Sequence, residues 1–203
     1  MVKRQVGLLL ATMLATLIIA GAAGAESATQ GASHAASGLL SPQELSFRVA
    51  YGYTESASLN FFTFGPRVAY DLPDFVPAIF GNRIRLAIET TGSIITGPNH
   101  GGNGEFALSP LIFNYRYDTG GFFVPYIEGG EGIVLTTLNH LNIGGPFEFS
   151  SQGGGGFDLF FSRENALSFD VRYRHISNLG ISNDNSGLET VFFTIGLSHF
   201  SGR

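Results

Sequence analysis

The sequence predicts an all-β protein, an eight-stranded antiparallel transmembrane β-barrel, and three observations support this prediction. Charged residues make up only 13% of the chain, whereas apolar residues reach 44% and include 19 phenylalanines; soluble domains usually carry about 25% charged residues. The 28 glycines occur without any cysteine, so disulfides are excluded. Beyond the N-terminal segment, no apolar run reaches the length of about 18 residues that a helical span requires. This combination is typical of strands that cross a membrane.

The N-terminal segment has the pattern of a signal peptide over residues 1–25. Lys3 and Arg4 precede an apolar run over 6–20, and Ala23-Gly24-Ala25 has the small-residue form of a cleavage site. An uncleaved membrane anchor is the alternative, because the run and the small residues after it approach spanning length. The cleavage pattern favours export, with a mature chain that begins at or near Glu26.

The remaining chain divides into a lead-in and one strand-rich domain. Residues 26–41 are rich in Ala, Ser and Gly without periodicity, which indicates a flexible lead-in. Residues 42–203 are expected to form the barrel domain. Eight strand-like segments separated by turn signals lie near 44–54, 60–71, 83–95, 105–117, 121–135, 146–161, 166–177 and 188–200.

The connections between these segments differ in length. Those at 118–121 and 162–165 are short, whereas those at 96–104, 136–145 and 178–187 are longer and polar. The connection at 72–82 departs from this alternation, because it is long and contains proline where a short turn belongs. Bacterial barrels place short turns in the periplasm and long loops outside. With a periplasmic N-terminus, the 178–187 loop faces the cell exterior.

Alternation along the strands assigns their two faces. An eight-stranded barrel has an interior that side chains can fill, so we expect no pore. The charged residues expected inside are Arg48, Arg85, Glu89, Asp170, Arg172 and Arg174. The apolar faces would then contact lipid. A soluble lipocalin-like barrel would reverse this arrangement; periodicity alone leaves it open, although so many inward arginines count against it.

Glycine runs leave the faces of the fifth and sixth strands unassigned. Gly129-Gly130 and Gly153–Gly156 indicate kinks or bulges. No helix pattern follows them, which disfavours a phosphate-binding loop.

Three polar residues interrupt the apolar faces of the last two strands. His175 and Ser177 share the face of Tyr173, and Glu189 shares the face of Val191. A hairpin centred near residue 183 would place Ser177 opposite Glu189, with His175 one same-face step further along, and opposite residues lie about 5 Å apart. An imidazole that takes the serine proton and a carboxylate that orients the imidazole form a nucleophilic triad.

Simpler explanations exist for each of these residues. A single polar residue at a strand end is often only interfacial, and Asp184 competes with Glu189 for the role of the acid. His100, His140 and His199 have no comparable partners and no spacing that suggests a metal site. The net charge of −5 gives no sign of a nucleic-acid partner.

The segment His175-Ile-Ser177-Asn178-Leu-Gly180, followed by Asn185, Gly187 and Glu189, resembles the active-site segment of the lipid A 3-O-deacylase family. The resemblance is dense over 171–195 and elsewhere extends to the export signal, length and strand count. One departure is the end of the chain, Phe200-Ser-Gly-Arg203, which lacks the terminal aromatic residue common among outer-membrane barrels.

The resemblance implies an outer-membrane esterase that needs no metal or organic cofactor and acts on lipid A, the lipid part of lipopolysaccharide. By resemblance, Ser177 is the nucleophile, His175 the base and Glu189 the orienting acid. The Asn178 side chain and the Gly180 backbone N–H would stabilise the oxyanion, and Asn185 would support the loop.

Two alternatives come from other functional classes. One is a non-enzymatic small barrel that serves adhesion or envelope stability. The other is a barrel that transfers acyl chains to lipid A, for which a substrate pocket inside the barrel would be expected.

Overall fold

The computed structural model describes residues 41–72, 84–98, 102–117, 120–138, 141, 143–181 and 186–201. The predicted signal peptide over 1–25, almost all of the lead-in over 26–41 and almost all of the 72–82 connection lie outside this part of the chain. Within the described residues, no helix has the length and apolar character needed to cross a membrane.

Eight antiparallel strands close into a barrel in chain order, with β1 paired to both β2 and β8. The strands are β1 Glu44–Thr54, β2 Leu59–Asp71, β3 Ile84–Thr96, β4 Asn103–Arg116, β5 Phe123–Thr136, β6 Phe147–Phe160, β7 Asn165–Ser177 and β8 Leu188–Phe200. The predicted fold class is confirmed, and each strand begins and ends within two residues of its predicted bounds.

The outer face of the barrel is apolar and the inner face is polar. Strand β8 alternates between buried and exposed residues along its whole length. Its exposed positions include Phe193 and Leu197, whereas the inward positions include Thr194 and Ser198. This arrangement suits a barrel in lipid and is the reverse of the lipocalin-like alternative.

Salt bridges between buried side chains fill the interior. Arg172 lies 2.6 Å from both Glu89 and Glu128, and Arg48 lies 2.9 Å from Asp170. Arg174 contacts both carboxylate oxygens of Glu105. The predicted charged interior is confirmed for these arginines, since buried charges require such paired and hydrogen-bonded partners.

Arg85 differs from the other arginines that were expected inside. Its Nε lies 2.8 Å from Oδ1 of Asp71, and the Asp71 side chain is 48% exposed. Arg85 is the second residue of β3 and therefore lies at the end of the barrel where β3 begins. It takes no part in the central salt bridges around Arg172.

The glycine runs of β5 and β6 do not mark bulges, so this part of the expectation was wrong. The β5–β6 and β6–β7 ladders continue without a register shift through Gly153–Gly156. An added Cβ on Gly154 would lie 2.2 Å from the carbonyl oxygen of Val171, so glycine allows close approach of the two backbones here. Register shifts occur instead between Ala87 and Glu89 and between Leu108 and Leu111.

An apolar cluster occupies the interior at the end of the barrel where β7 ends and β8 begins. Ile176 of β7 and Leu188 of β8 are paired residues that both belong to this cluster. The Arg174 guanidinium lies 4.8 Å from the ring centroid of Phe192, another member. The inward residues next to His175 and Glu189 are therefore tightly packed, which anchors the backbone that carries the outward residues.

Candidate active site

The polar residues predicted on β7 and β8 lie together on the outer surface of the barrel. Asp170, Arg172 and Arg174 are buried inside, whereas the side chains of His175 and Glu189 are 40% and 46% exposed. Because alternate residues of a strand face opposite sides, the inward arginines require that His175 point outward. The predicted orientation is confirmed.

His175 and Glu189 are direct partners across the β7–β8 ladder. The imidazole Nδ1 lies 3.1 Å from Oε1 of Glu189, a hydrogen-bonding distance. A carboxylate at Nδ1 holds the proton on that nitrogen, so Nε2 keeps a lone pair and can accept a proton. The pair therefore has the geometry of a general base with its orienting acid.

The predicted register was wrong by two residues, since His175 and not Ser177 lies opposite Glu189. The hairpin is centred on residue 182, one residue before the predicted centre, and in an antiparallel pair such a shift moves each partner by two. An even shift keeps every side chain on its face. The outward placement of the three residues survives, and the His–Glu contact becomes direct.

Ser177 is the last residue of β7 and lies on the same face as His175. It pairs with Phe149 of β6, beyond the last paired residues of the β7–β8 ladder. The Nδ1 side of the imidazole faces Glu189, so its opposite edge is the one available to a group at the end of the strand. That edge, with Nε2, is where a serine hydroxyl must deliver its proton.

A tight turn follows Ser177. The N–H of Ile181 donates to the carbonyl oxygen of Asn178, while Leu179 and Gly180 have φ of 54° and 81°. Two central residues with positive φ define a type I′ turn. A left-handed conformation is unfavourable for leucine, so Leu179 is a strained position of this turn.

The two predicted oxyanion donors contact each other. The Gly180 N–H donates to Oδ1 of Asn178 over 2.8 Å, and Asn178 is only 4% exposed. The bond occupies the Gly180 N–H that was expected to face the oxyanion. It also fixes the orientation of the Asn178 amide, so that Nδ2 is directed away from Gly180.

Two further polar residues, which the sequence pattern did not predict, lie on the same surface. Ser151 of β6 is paired with His175, and its hydroxyl donates to Oε2 of Glu131 on β5 over 2.7 Å. Glu131, Ser151, His175 and Glu189 form one polar row across four neighbouring strands. Because the glycine runs left the faces of β5 and β6 unassigned, the sequence did not predict this row.

The remaining candidates lie elsewhere or outside the described residues. His199 Nδ1 is 3.1 Å from Oδ1 of Asn165, at the opposite end of β7 from His175. Asn185, Asp184, His100 and His140 are outside the described part of the chain. Within that part, no group of three His, Cys, Asp or Glu residues could hold a metal ion.

Comparisons with known proteins agree on one family. The family model described as lipid A 3-O-deacylase (PagL) matches residues 79–198, which is more than half of the chain. The lipid A deacylase PagL of Bordetella bronchiseptica is 32% identical over 131 residues, which cover 62% of this chain and 70% of that protein.

Two solved structures share the barrel. The outer membrane enzyme PagL superposes with a TM-score of 0.59 at 22% identity, over 74% of this chain and 97% of that one. Neisserial surface protein A superposes with a TM-score of 0.56 at 14% identity, over 77% of this chain and 94% of that one. At such identities, these likenesses concern the fold alone.

Proposed function

This chain belongs to the lipid A 3-O-deacylase (PagL) family, and on that premise we propose that it hydrolyses its substrate with a triad of Ser177, His175 and Glu189. The protein is an outer-membrane β-barrel and an ester hydrolase that removes the 3-O-acyl chain from lipid A. The interior is filled by salt-bridged side chains and, at the end near β7 and β8, by a packed apolar cluster, which counts against acyl transfer in an internal pocket.

One observation carries this mechanism: the hydrogen bond between His175 and Glu189 lies on the lipid-facing surface, on the same face as Ser177. Ionisable groups are unfavourable in contact with lipid and mark functional sites there. The interior charges of Glu89, Glu105 and Glu128 and of their arginine partners have a structural explanation in their salt bridges. The outward pair has none, so we assign it to chemistry.

The first step forms an acyl-enzyme. Ser177 Oγ attacks the carbonyl carbon of the ester while its proton passes to Nε2 of His175, and Glu189 stabilises the imidazolium through Nδ1. The carbonyl oxygen becomes an oxyanion, for which we assign the Asn178 side chain as the donor. When the tetrahedral intermediate collapses, the sugar oxygen leaves and takes the proton from His175.

The second step releases the fatty acid. A water molecule gives its proton to Nε2 of His175 as its oxygen attacks the acyl carbonyl carbon. Collapse of this second intermediate returns the proton to Ser177 and frees a 3-hydroxy fatty acid. Each donor aimed at the oxyanion typically lowers the barrier by about 3–4 kcal/mol.

The location of the triad suits this substrate. Acyl esters of lipid A lie just below the headgroups of the outer leaflet, so a site on the outer wall of a barrel can reach them while the lipid stays in the bilayer. The position of His175 and Ser177 near one end of β7 supports a site at this depth.

Mass spectrometry of purified lipid A treated with each variant tests the proposal. We expect Ser177→Ala and His175→Ala to abolish the loss of one 3-hydroxyacyl mass, although both variants fold into heat-modifiable barrels. His199→Ala is the matched control, because Nδ1 of His199 likewise contacts a side-chain oxygen, Oδ1 of Asn165, but at the opposite end of the barrel. Full activity of Ser177→Ala would eliminate the serine mechanism.

A further inference from the structure

We propose that Gly187 is a positioning residue for His175, and that its missing side chain provides the space in which the imidazole holds Nε2 toward the nucleophile. This inference rests on the proposed triad. It adds a residue that the triad itself does not include and that makes no hydrogen bond to the reacting groups.

The geometry around Gly187 supports this role. An ideal Cβ built on Gly187 would lie 2.6 Å from Cε1 and 3.3 Å from Nε2 of His175. The first distance is far shorter than any ordinary contact between carbon atoms. The imidazole edge that carries Nε2 therefore lies directly against the backbone of Gly187.

The hairpin register explains why this contact involves residue 187. His175 pairs with Glu189 and Ile176 with Leu188, and Gly187 directly precedes Leu188, the first residue of β8. Glu189 contacts the imidazole at Nδ1, and Gly187 lies beside Cε1 and Nε2. Glu189 and Gly187, two residues apart in the sequence, thus both lie against the ring.

The backbone conformation of Gly187 is a second reason for glycine. Its φ is +68°, in the left-handed region that residues with a Cβ seldom adopt. A substitution here combines a backbone penalty with a clash. A control variant must therefore carry the same backbone penalty without the clash.

The clash has one inexpensive relief, which is movement of the His175 ring. The ring lies at the free end of a partly exposed side chain, whereas the β7 and β8 backbones are held by their ladder and by the packed inward residues. We therefore expect Gly187→Ala to leave the barrel folded and to displace Nε2. A displacement of about 1 Å can reduce the rate of a positioned reaction about 100-fold.

The test compares Gly187→Ala with Gly102→Ala in the full-length protein in detergent. Gly102 has φ of +85° and no atom within 4 Å of an added Cβ, so it matches the backbone penalty without a clash. Two rates are measured: turnover of lipid A, and covalent labelling of Ser177 by a small fluorophosphonate. Labelling reports on the Ser–His pair independently of lipid binding.

We expect Gly187→Ala to reduce kcat and the labelling rate by about 100-fold, with little change in KM, and Gly102→Ala to leave all three unchanged. Wild-type labelling and turnover in Gly187→Ala would overturn the inference. So would a failure of Gly187→Ala to form a heat-modifiable barrel, because the backbone would then absorb the clash. Ser177→Ala in the same series separates the two claims, since its activity tests the triad alone.

Discussion

At the scale of single residues, the outer face of β7 and β8 mixes two kinds of side chain. Tyr173 and Val191 are an exposed apolar pair that suits lipid contact. The next pair on the same face, His175 and Glu189, is ionisable. A bilayer disfavours such groups, so their removal should not weaken the barrel. We attribute their presence to the proposed triad.

Within the triad, the three residues should not contribute equally. Glu189 only orients His175 and stabilises its charged form. We therefore expect the residual activity of Glu189→Ala to be about 10- to 100-fold higher than that of Ser177→Ala. Initial rates of 3-hydroxy fatty acid release from lipid A measure this difference. Glu189→Gln is the matched variant, because its amide oxygen can still accept from Nδ1–H without the charge. A loss in Glu189→Ala equal to that in Ser177→Ala would contradict an orienting role.

At the scale of the element, β6 shows why a run of glycines can lie within a regular strand. The strand pairs continuously with β5 and β7, although Gly153–Gly156 provides no side chains for packing. Adjacent glycines of this run point to opposite faces and have different neighbours. A Cβ on Gly154 would lie 2.2 Å from the Val171 carbonyl oxygen, whereas a Cβ on Gly153 would meet only Glu128 O at 3.7 Å.

This difference predicts opposite outcomes for two adjacent substitutions. Gly154→Ala should destabilise the barrel by about 1–3 kcal/mol, the usual range for overpacking, because backbone atoms cannot move aside as a side chain can. Gly153→Ala should leave stability within about 0.5 kcal/mol of wild type. Urea unfolding in lipid vesicles, followed by tyrosine fluorescence, measures both. Equal stability of the two variants would show that β6 and β7 approach less closely than the structure indicates.

At the scale of the whole molecule, the barrel is held closed around a charged interior. Arg172 bridges Glu89 of β3 and Glu128 of β5 from β7, so its salt bridges cross the barrel. A network of this kind fills the space that a pore or an acyl-chain pocket would need. It leaves the outer wall as the surface on which a lipid can be bound.

Removal of one charge from this network should be costly. Arg172→Met leaves the buried carboxylates of Glu89 and Glu128 to share Arg67, so one buried negative charge loses its partner. We expect a loss of about 3–5 kcal/mol in the free energy of unfolding. Arg85→Met is the control, because its partner Asp71 is half exposed and such pairs contribute less than about 1 kcal/mol. The same urea titration compares them. If Arg172→Met were as stable as Arg85→Met, the interior would have to be more hydrated than its burial indicates.

The amino-acid sequence by itself determined the class of fold, the strand bounds and the face of each catalytic candidate. Period-two alternation is a local property, so Arg172 and Arg174 assign the inside of β7, and His175 must then face outward. The spacing from His175 to Gly180 carried the family resemblance. The alternation failed where local signals are missing, since the glycines of β6 show no face.

Only the tertiary structure decided which residues meet. The register of β7 and β8 depends on the conformation of their connecting loop, which the sequence pattern does not specify, and a two-residue shift exchanged Ser177 for His175 as the partner of Glu189. The polar row with Ser151 and Glu131, and the contact of Gly187 with the imidazole, depend on neighbours brought together by that register. Alternation along one strand specifies the face toward which each side chain points. The distances between side chains on different strands follow from closure of the whole barrel.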